Sequence, residues 1–492
     1  MIYLFNLGRR IGGNRMQTKY GLGYQTVSNV EGSLIVLEKT KPVGYNELVE
    51  ITLPDGTEYL GSVIDTTHKY VLVQVFGRKE GLERKVRVRF TGETISIPLS
   101  EDVLGRVFSG SFKPRDNLPE IVGDEKREIF YSVMNPAARD PPSEFIQTGI
   151  SIIDSCLALV RGQKLPIFTV SGLPHNMVLA QIARQATILK KGKEEKEEFA
   201  VVFCAMGLRY EEYEFFRRTF EETGALHKAV MILNLADDPE IERIIAPRIA
   251  LTIAEYLAFE LGYHILVILG DMLSYAEVLR ILSTARKEIP ARKGYPGYLY
   301  TDLATIYERC GKIKGRRGSI TLMPYLTMPG GDMTHPVVDL SGYITEGQII
   351  LSLELNMRGI YPPVSLLPSL SRLAKDGIGK GRTREDHKYV AEQLYAAYAT
   401  GVEARDLAKI IGEGALSKRE RAYLRFANEF ELKFINQGYL ENRPLEKTLE
   451  LAWEMLSILP EEELMRIPPK IVKKYHPKYR FKKESSSQEG SS

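Results

Sequence analysis

Three patterns of apolar spacing follow one another along the chain. From Tyr24 to about Phe90, short runs alternate apolar and polar residues: YQTVSNV, SLIVLE, ELVEITL, TEYLGSVID, YVLVQVF and KVRVRF, with PDG at Pro54–Gly56 as a turn between two of them. Six such strands with no helix between them close most economically as a small β-barrel, half of an open sandwich being the alternative. From about Thr91 to Leu370, longer apolar runs (KLPIFTV, FAVVFCA, AVMILNL, HILVILG) alternate with stretches of helical period. That alternation predicts a mostly parallel sheet covered by helices. Within it, PRIALTIAEYLAFELG is apolar almost all round and reads as a helix opened by Pro247 and stopped by Gly262. MVLAQIARQATILKK reads as another helix, and the alternating charges of KKGKEEKEEF, Lys190 to Phe199, as its solvated end and a loop. From Thr383 onward the period is helical, with a Ser417/Glu420 capping box and a helix LEKTLELAWEMLSIL opened by Pro444 and ended at Pro460.

The expected organisation is multidomain: a β-barrel over 16–90, an α/β nucleotide-binding-type domain over 91–382 and a C-terminal α-helical bundle over 383–480. Residues 1–15, ahead of Met16, are expected to be a flexible arm or a non-native start, and 481–492 a polar, disordered tail.

Composition narrows the function classes. Across 492 residues, 66 Lys and Arg against 63 Asp and Glu leave a formal charge of +3, which gives no electrostatic case for nucleic acid as a partner. Cys156, Cys204 and Cys310 lie far apart among apolar or small neighbours, so buried free thiols are expected, and the scattered histidines show no metal-ligand spacing. No apolar run approaches a membrane span, and MIYLFNLGRRIGG lacks the order of a secretory signal, so a cytoplasmic location is expected.

The candidate chemistry centres on TVSGLPHN, residues 169–176. Strand-forming KLPIFTV precedes it and a helix follows, which is the setting of a phosphate-binding loop. A working GxxxxGK[ST] loop needs glycines for backbone approach, a Lys for charge and a hydroxyl for magnesium. Those positions carry Thr169, Pro174, His175 and Asn176, and Gly172 is the one glycine inside. Proline deletes an N–H donor, His is mostly neutral at pH 7, and Asn offers an amide in place of a hydroxyl. The octet also fits an ordinary strand-to-helix turn. Asp271, ending HILVILGD, stands where nucleotide hydrolases carry a magnesium-coordinating acid, but reads more simply as the N-cap of MLSYAEVLRIL. Glu211 and Glu212 read as favourable first-turn charges of the helix YEEYEFFRRTFEE.

Several long segments carry a family resemblance: SGLPHN, NLADDPEIERIIAPRIALTIAEYLAFELGYHILVIL, GYPGYLYTDLATIYER, LTMPGGDMTHPVVDLSGYITEGQI and LPSLSRLAKDGIGKGRTREDH. From about Met16 to Tyr479 the chain closely resembles the B subunits of archaeal-type and vacuolar-type rotary ATPases. The resemblance implies a RecA-like central domain in a non-catalytic, regulatory subunit with no independent activity. Three such chains would alternate with three catalytic A subunits around a rotating shaft, with further rotor and peripheral stalk subunits, on the cytoplasmic face of the cell membrane. ATP or ADP with Mg would sit at the interface with the catalytic subunit, and the ring would couple ATP synthesis or hydrolysis to proton or sodium transport. Arg372 in PSLSR matches the family's arginine finger, which acts in trans on the neighbour's ATP. Two departures stand out: Val364 is followed by Ser365 where the family reads proline, aliphatic, Asp, and the residues before Met16 have no counterpart. The competing classes are an ATPase using its own pocket, opposed by the four replaced loop positions, and a hexameric nucleic-acid motor, opposed by the balanced charge.

Overall fold

Seven antiparallel strands, one more than the alternation predicts, build the N-terminal domain. The first run divides into Leu22–Tyr24 and Val27–Glu31, and these form the two ends of the strand order. Between them lie Arg87–Thr94, Glu47–Thr52, Glu58–Thr66, Tyr70–Phe76 and Leu34–Glu38, in that order. Tyr24 and Val27 are separated by a chain length of at most about 10 Å. The two ends of the order are therefore held together, and the sheet curls into a barrel around Ile35, Val49, Ile51, Val63, Val73 and Val88. Gly56, at φ +91°, makes the PDG turn, with its N–H donating to the Leu53 carbonyl at 3.0 Å.

These are features of a computed structural model that describes residues 22–479, apart from 25–26, 32–33, 39–41, 77–81, 83–84, 124, 131–132, 191–192, 195–197 and 287. The expected arm at 1–15 and tail at 481–492 lie outside the described residues.

The central sheet runs Val364–Ser371, Gly347–Leu351, Ile167–Thr169, Ser319–Thr327, His264–Gly270, Phe199–Leu208, Ala229–Leu235 and Val107–Ser109. Every neighbouring pair in that order is parallel except the first, which is antiparallel. Strands such as His264–Gly270 are buried along their whole length, so they read as unbroken apolar runs. One face packs on helices Glu242–Glu255, Met272–Ala285 and Leu299–Tyr307, the other on His175–Gln185 and the helical domain.

Two expectations need correction. The helix read as opening at Pro247 begins at Glu242 and continues through a π-turn to Glu260, so Pro247 is internal. An internal proline costs about 3 kcal/mol, and the buried faces of Ile245, Pro247 and Ile249 offset it, at roughly 1.5–3 kcal/mol for each large apolar side chain. The helix after the loop stops at Gln185, and Thr187–Lys190 becomes a strand paired with Phe145–Gln147. Two β-branched residues, Thr187 and Ile188, in a strand paired on both sides, with Phe145–Gln147 and Lys193–Glu194, favour that outcome, which periodicity over so short a stretch does not reveal. Of the three cysteines, Cys204 and Cys310 are buried and Cys156 is half-buried, all as free thiols.

The helical domain is built on His387–Ile411, Lys418–Glu429, Leu445–Leu456 and Pro469–Tyr475. The expected capping box is present, with Ser417 Oγ accepting from the Glu420 N–H and Glu420 accepting from the Ser417 N–H. One continuous core joins this domain to the sheet: Ile153 and Leu179 share it with Leu394, Phe426 and Trp453.

At that junction His387 is fully buried. The Gly379 N–H donates to Thr383 Oγ1 at 2.8 Å, that hydroxyl meets His387 Nδ1 at 3.0 Å, and His387 Nε2 lies 3.1 Å from the Ser155 carbonyl. A carbonyl only accepts, so Nε2 carries a proton, and with the charged form disfavoured by burial the Thr383 hydroxyl donates to Nδ1 of a neutral ring. Burial pushes this imidazole down to about 4. Between the unfolded value of about 6.5 and that folded value, the unfolded chain binds a proton that the folded chain refuses, so stability falls as pH falls, by up to about 3 kcal/mol across the window. His387→Gln should therefore lose less of its melting temperature between about pH 7 and pH 5 than wild type does. Equal losses in thermal melts would contradict this assignment.

Candidate functional site

The strand Ile167–Thr169 lies between two parallel neighbours, so the loop leaving it opens at the carboxyl edge of the sheet, where open α/β sheets bind ligands. A cavity of about 410 Å³ lies there, with Gly172, His175, Asn176, Arg209, Glu212, Asp271, Ser274 and Tyr325 in its wall. Its size suits a small molecule. Its donors do not suit a triphosphate. Among the loop N–H groups, that of Leu173 donates to the Val170 carbonyl and that of His175 to the Leu173 carbonyl, and Pro174 at the helix N-cap has none. Thr169 is buried at the strand end, with its hydroxyl on the Val170 carbonyl.

The remaining candidates are held by groups of the chain itself. His175 Nδ1 lies 3.0 Å from the Leu173 carbonyl, folding the ring back on its own loop, with its centroid 5.9 Å from that of Tyr325. Asn176 Nδ2 donates to Glu212 Oε1 at 3.0 Å, while Glu212 Oε2 accepts the Arg209 N–H at 2.9 Å and caps the helix Tyr210–Glu222. A single carboxylate thus serves as helix cap and as tether for the residue at the hydroxyl position, a pairing that spacing in the sequence cannot reveal. Glu211 is exposed. Asp271 is the N-cap of Met272–Ala285 and accepts from the Leu273 N–H at 2.8 Å and the Thr327 N–H at 3.2 Å. Burial raises its carboxyl above the ordinary value. Arg209 and Ser274 also line the cavity, and no motif singles them out. The residues present do not fit a Mg-triphosphate bound by this chain alone. No group of three or more metal-ligating side chains occurs among the described residues.

Arg372 is elsewhere. It follows the edge strand Val364–Ser371, which runs antiparallel to Gly347–Leu351 with Ser371 opposite Gly347. Ile349 on that neighbour is opposite Ile167, so Arg372 emerges level with residues 164–165, at the amino end of the loop strand. About five residues at 3.3 Å, or about 16 Å, then separate it along the strand direction from the start of the loop. The side chain is exposed; its Nη1 donates to the Thr345 carbonyl at 3.2 Å, and among the described residues no carboxylate is paired to it.

A barrel, a mostly parallel α/β domain whose loop stands in the phosphate-loop position without its Lys and hydroxyl, and a helical domain sharing its core define the three-part architecture of the ATP synthase alpha/beta class. Comparison with known proteins narrows this. Residues 27–92 match the ATP synthase alpha/beta family β-barrel domain, 149–371 the nucleotide-binding domain of that family, and 376–476 the C-terminal domain of V and A type ATP synthase. The chain is 59% identical over 460 residues to the A-type ATP synthase B subunit of Thermofilum pendens and 57% identical over 461 residues to the A-type ATP synthase B 1 subunit of Methanospirillum hungatei JF-1. Each alignment covers 94% of this chain and 99% of the relative. A solved ATP synthase subunit, NeqB from Nanoarcheaum equitans, is 42% identical with a TM-score of 0.69, covering 87% of this chain and 99% of that one. The chain belongs to the family of A-type ATP synthase B subunits.

The isolated chain should bind Mg-ATP weakly or not at all and hydrolyse none, as calorimetric titration and a phosphate-release assay can establish; a tight Mg-ATP site on the monomer would contradict the loop assignment. His175→Lys with Asn176→Thr should leave turnover absent, because Pro174 and the spent N–H groups remain.

Proposed function

We propose that this chain is the non-catalytic, regulatory subunit of an A-type rotary ATP synthase, alternating three by three with P-loop-bearing catalytic subunits. In this reading it binds no nucleotide tightly by itself. It supplies Arg372 to the ATP or ADP, with Mg, held by its neighbour, and shares in coupling synthesis or hydrolysis to proton or sodium movement through membrane subunits. Its other partners are the central rotor shaft and the peripheral stalk, at the cytoplasmic face of the membrane. Among the described residues no helix is long and apolar enough to cross a membrane, which accords with attachment through the complex.

One observation carries the reading: an exposed guanidinium with no carboxylate partner among the described residues stands at the opposite end of the sheet from the chain's own stripped loop. An unpaired fork of N–H donors suits a phosphate that develops charge in a transition state. Its own cavity is too far for it to reach, so a neighbour's nucleotide is the natural recipient.

A finger that acts mainly in the transition state contributes little to assembly. Arg372→Ala should therefore form the ring with its catalytic partner and lose about 10³-fold or more in steady-state hydrolysis, the lower end of what such fingers supply. Arg372→Lys should recover only a small part, since it keeps the charge and loses the planar fork. A normally assembled Arg372→Ala ring with activity within a few-fold of wild type would place the finger on another residue.

A further inference from the structure

An arginine leaving an exposed sheet edge is free to swing unless its base is held. The turn at 345–347 holds it. The Arg372 N–H donates to the Glu346 carbonyl at 3.0 Å, and Nη1 donates to the preceding carbonyl, that of Thr345. Glu346 is clamped to Lys164 three ways. Its N–H donates to the Lys164 carbonyl at 2.9 Å, its Oε2 accepts the Lys164 N–H at 2.7 Å, and its Oε1 pairs with Lys164 Nζ at 2.7 Å. Gln163, fully buried, donates from Nε2 to the Glu346 carbonyl at 3.1 Å and to Ser371 Oγ at 3.0 Å, tying together the turn and the residue before the arginine. Gly347, at φ +140°, allows this approach, since a Cβ there would run into the Leu370 carbonyl.

Lys164 is only 4% exposed, and lysine is almost never so buried without a partner. Its Nζ sits between Glu346 Oε1 at 2.7 Å and Glu308 Oε1 at 3.3 Å, on carboxylates that are themselves partly exposed. As pure stabilisation this is a poor bargain, because such ion pairs are often matched by apolar residues of the same volume. What an apolar pair lacks is direction. The carboxylate fixes the turn through hydrogen bonds whose angles leave the Thr345 and Glu346 carbonyls aimed at Arg372.

We propose that Glu346, held by Lys164, is a positioning residue that sets the direction of the Arg372 guanidinium toward the neighbour's nucleotide; this rests on the finger reading given above. Without the carboxylate, the backbone pairing of 347–348 with 370–371, the Glu346 N–H bond and the Gln163 contact remain and the chain folds, but the turn that orients the guanidinium loses its two side-chain ties to Lys164 and loosens. Fewer rings then hold the fork in register as charge develops. Because ground-state affinity resides in the partner's own loop, kcat falls while KM holds.

The test is steady-state ATP hydrolysis by rings reconstituted with the catalytic partner, using Glu346→Gln, Glu346→Asp and Lys164→Gln, alone and combined with Arg372→Lys. Glu346→Gln should lower kcat about ten-fold, within the range of coupled neighbours, with KM within about two-fold of wild type. Glu346→Asp should recover part of the loss. In the Arg372→Lys background Glu346→Gln should cost less than about two-fold, since the group it orients is already gone. Should Glu346→Gln fail to assemble, Lys164→Gln carries the same test with Glu308→Gln as its control, since Lys164 Nζ also meets Glu308 Oε1 at 3.3 Å. If Arg372→Lys lowers the rate but Glu346→Gln leaves kcat unchanged, or costs the same in both backgrounds, the positioning role is overturned and the finger stands. If Arg372→Ala and Arg372→Lys are both as active as wild type, the finger reading itself has failed.

Discussion

The strand Val364–Ser371 runs against its neighbour, and that one reversal decides what the domain can do. Had it run parallel, its last residue would have emerged beside the loop of its own chain. Running antiparallel, it delivers Arg372 to the amino end of the sheet, level with Lys164. A cavity at one end and an unpaired guanidinium at the other cannot cooperate within one chain. On the account proposed, they are two halves of different sites, and the ring brings the guanidinium to a partner's nucleotide.

The chain's own cavity is best understood as a wall. Parts that would serve catalysis in a working hydrolase are engaged internally here: Asn176 Nδ2 on Glu212, Asp271 on the start of its helix, His175 on its own loop. The helix behind the loop is also tied to the helical domain, Gln181 donating to the Glu441 carbonyl at 2.9 Å and Arg184 to the Tyr439 carbonyl at 2.7 Å. Arg184 also stacks over the Tyr439 ring at 5.0 Å. These contacts join the two domains where the core is already continuous, so the helix behind the loop is braced against the helical domain.

Features set by a few adjacent residues were legible in the sequence. Asp271 as an N-cap, the Ser417/Glu420 box, the first-turn glutamates and the loss of loop chemistry depend on short-range geometry, and so did the strands HILVILG and AVMILNL. What was not legible depends on partners distant in the chain. Pro247 inside a helix is tolerated because buried neighbours outweigh a local penalty, and Thr187–Lys190 is a strand because Phe145–Gln147 lies beside it. The Lys164–Glu346 clamp joins residues 182 positions apart, and nothing in either local sequence announces it. Arg372 is singled out only through family resemblance, since an arginine after Ser-Leu-Ser has no distinguishing local signal.

The central claim is that this chain completes a neighbour's site and not its own. The most direct measurement is a structure of the assembled ring stalled with Mg-ADP and aluminium fluoride, a mimic of the transferring phosphoryl group. The account predicts the mimic in the partner's loop, with the Arg372 guanidinium within hydrogen-bond distance of the fluoride. Mimic bound in this chain's own cavity against His175 and Asn176, with Arg372 remote from any nucleotide, would contradict it.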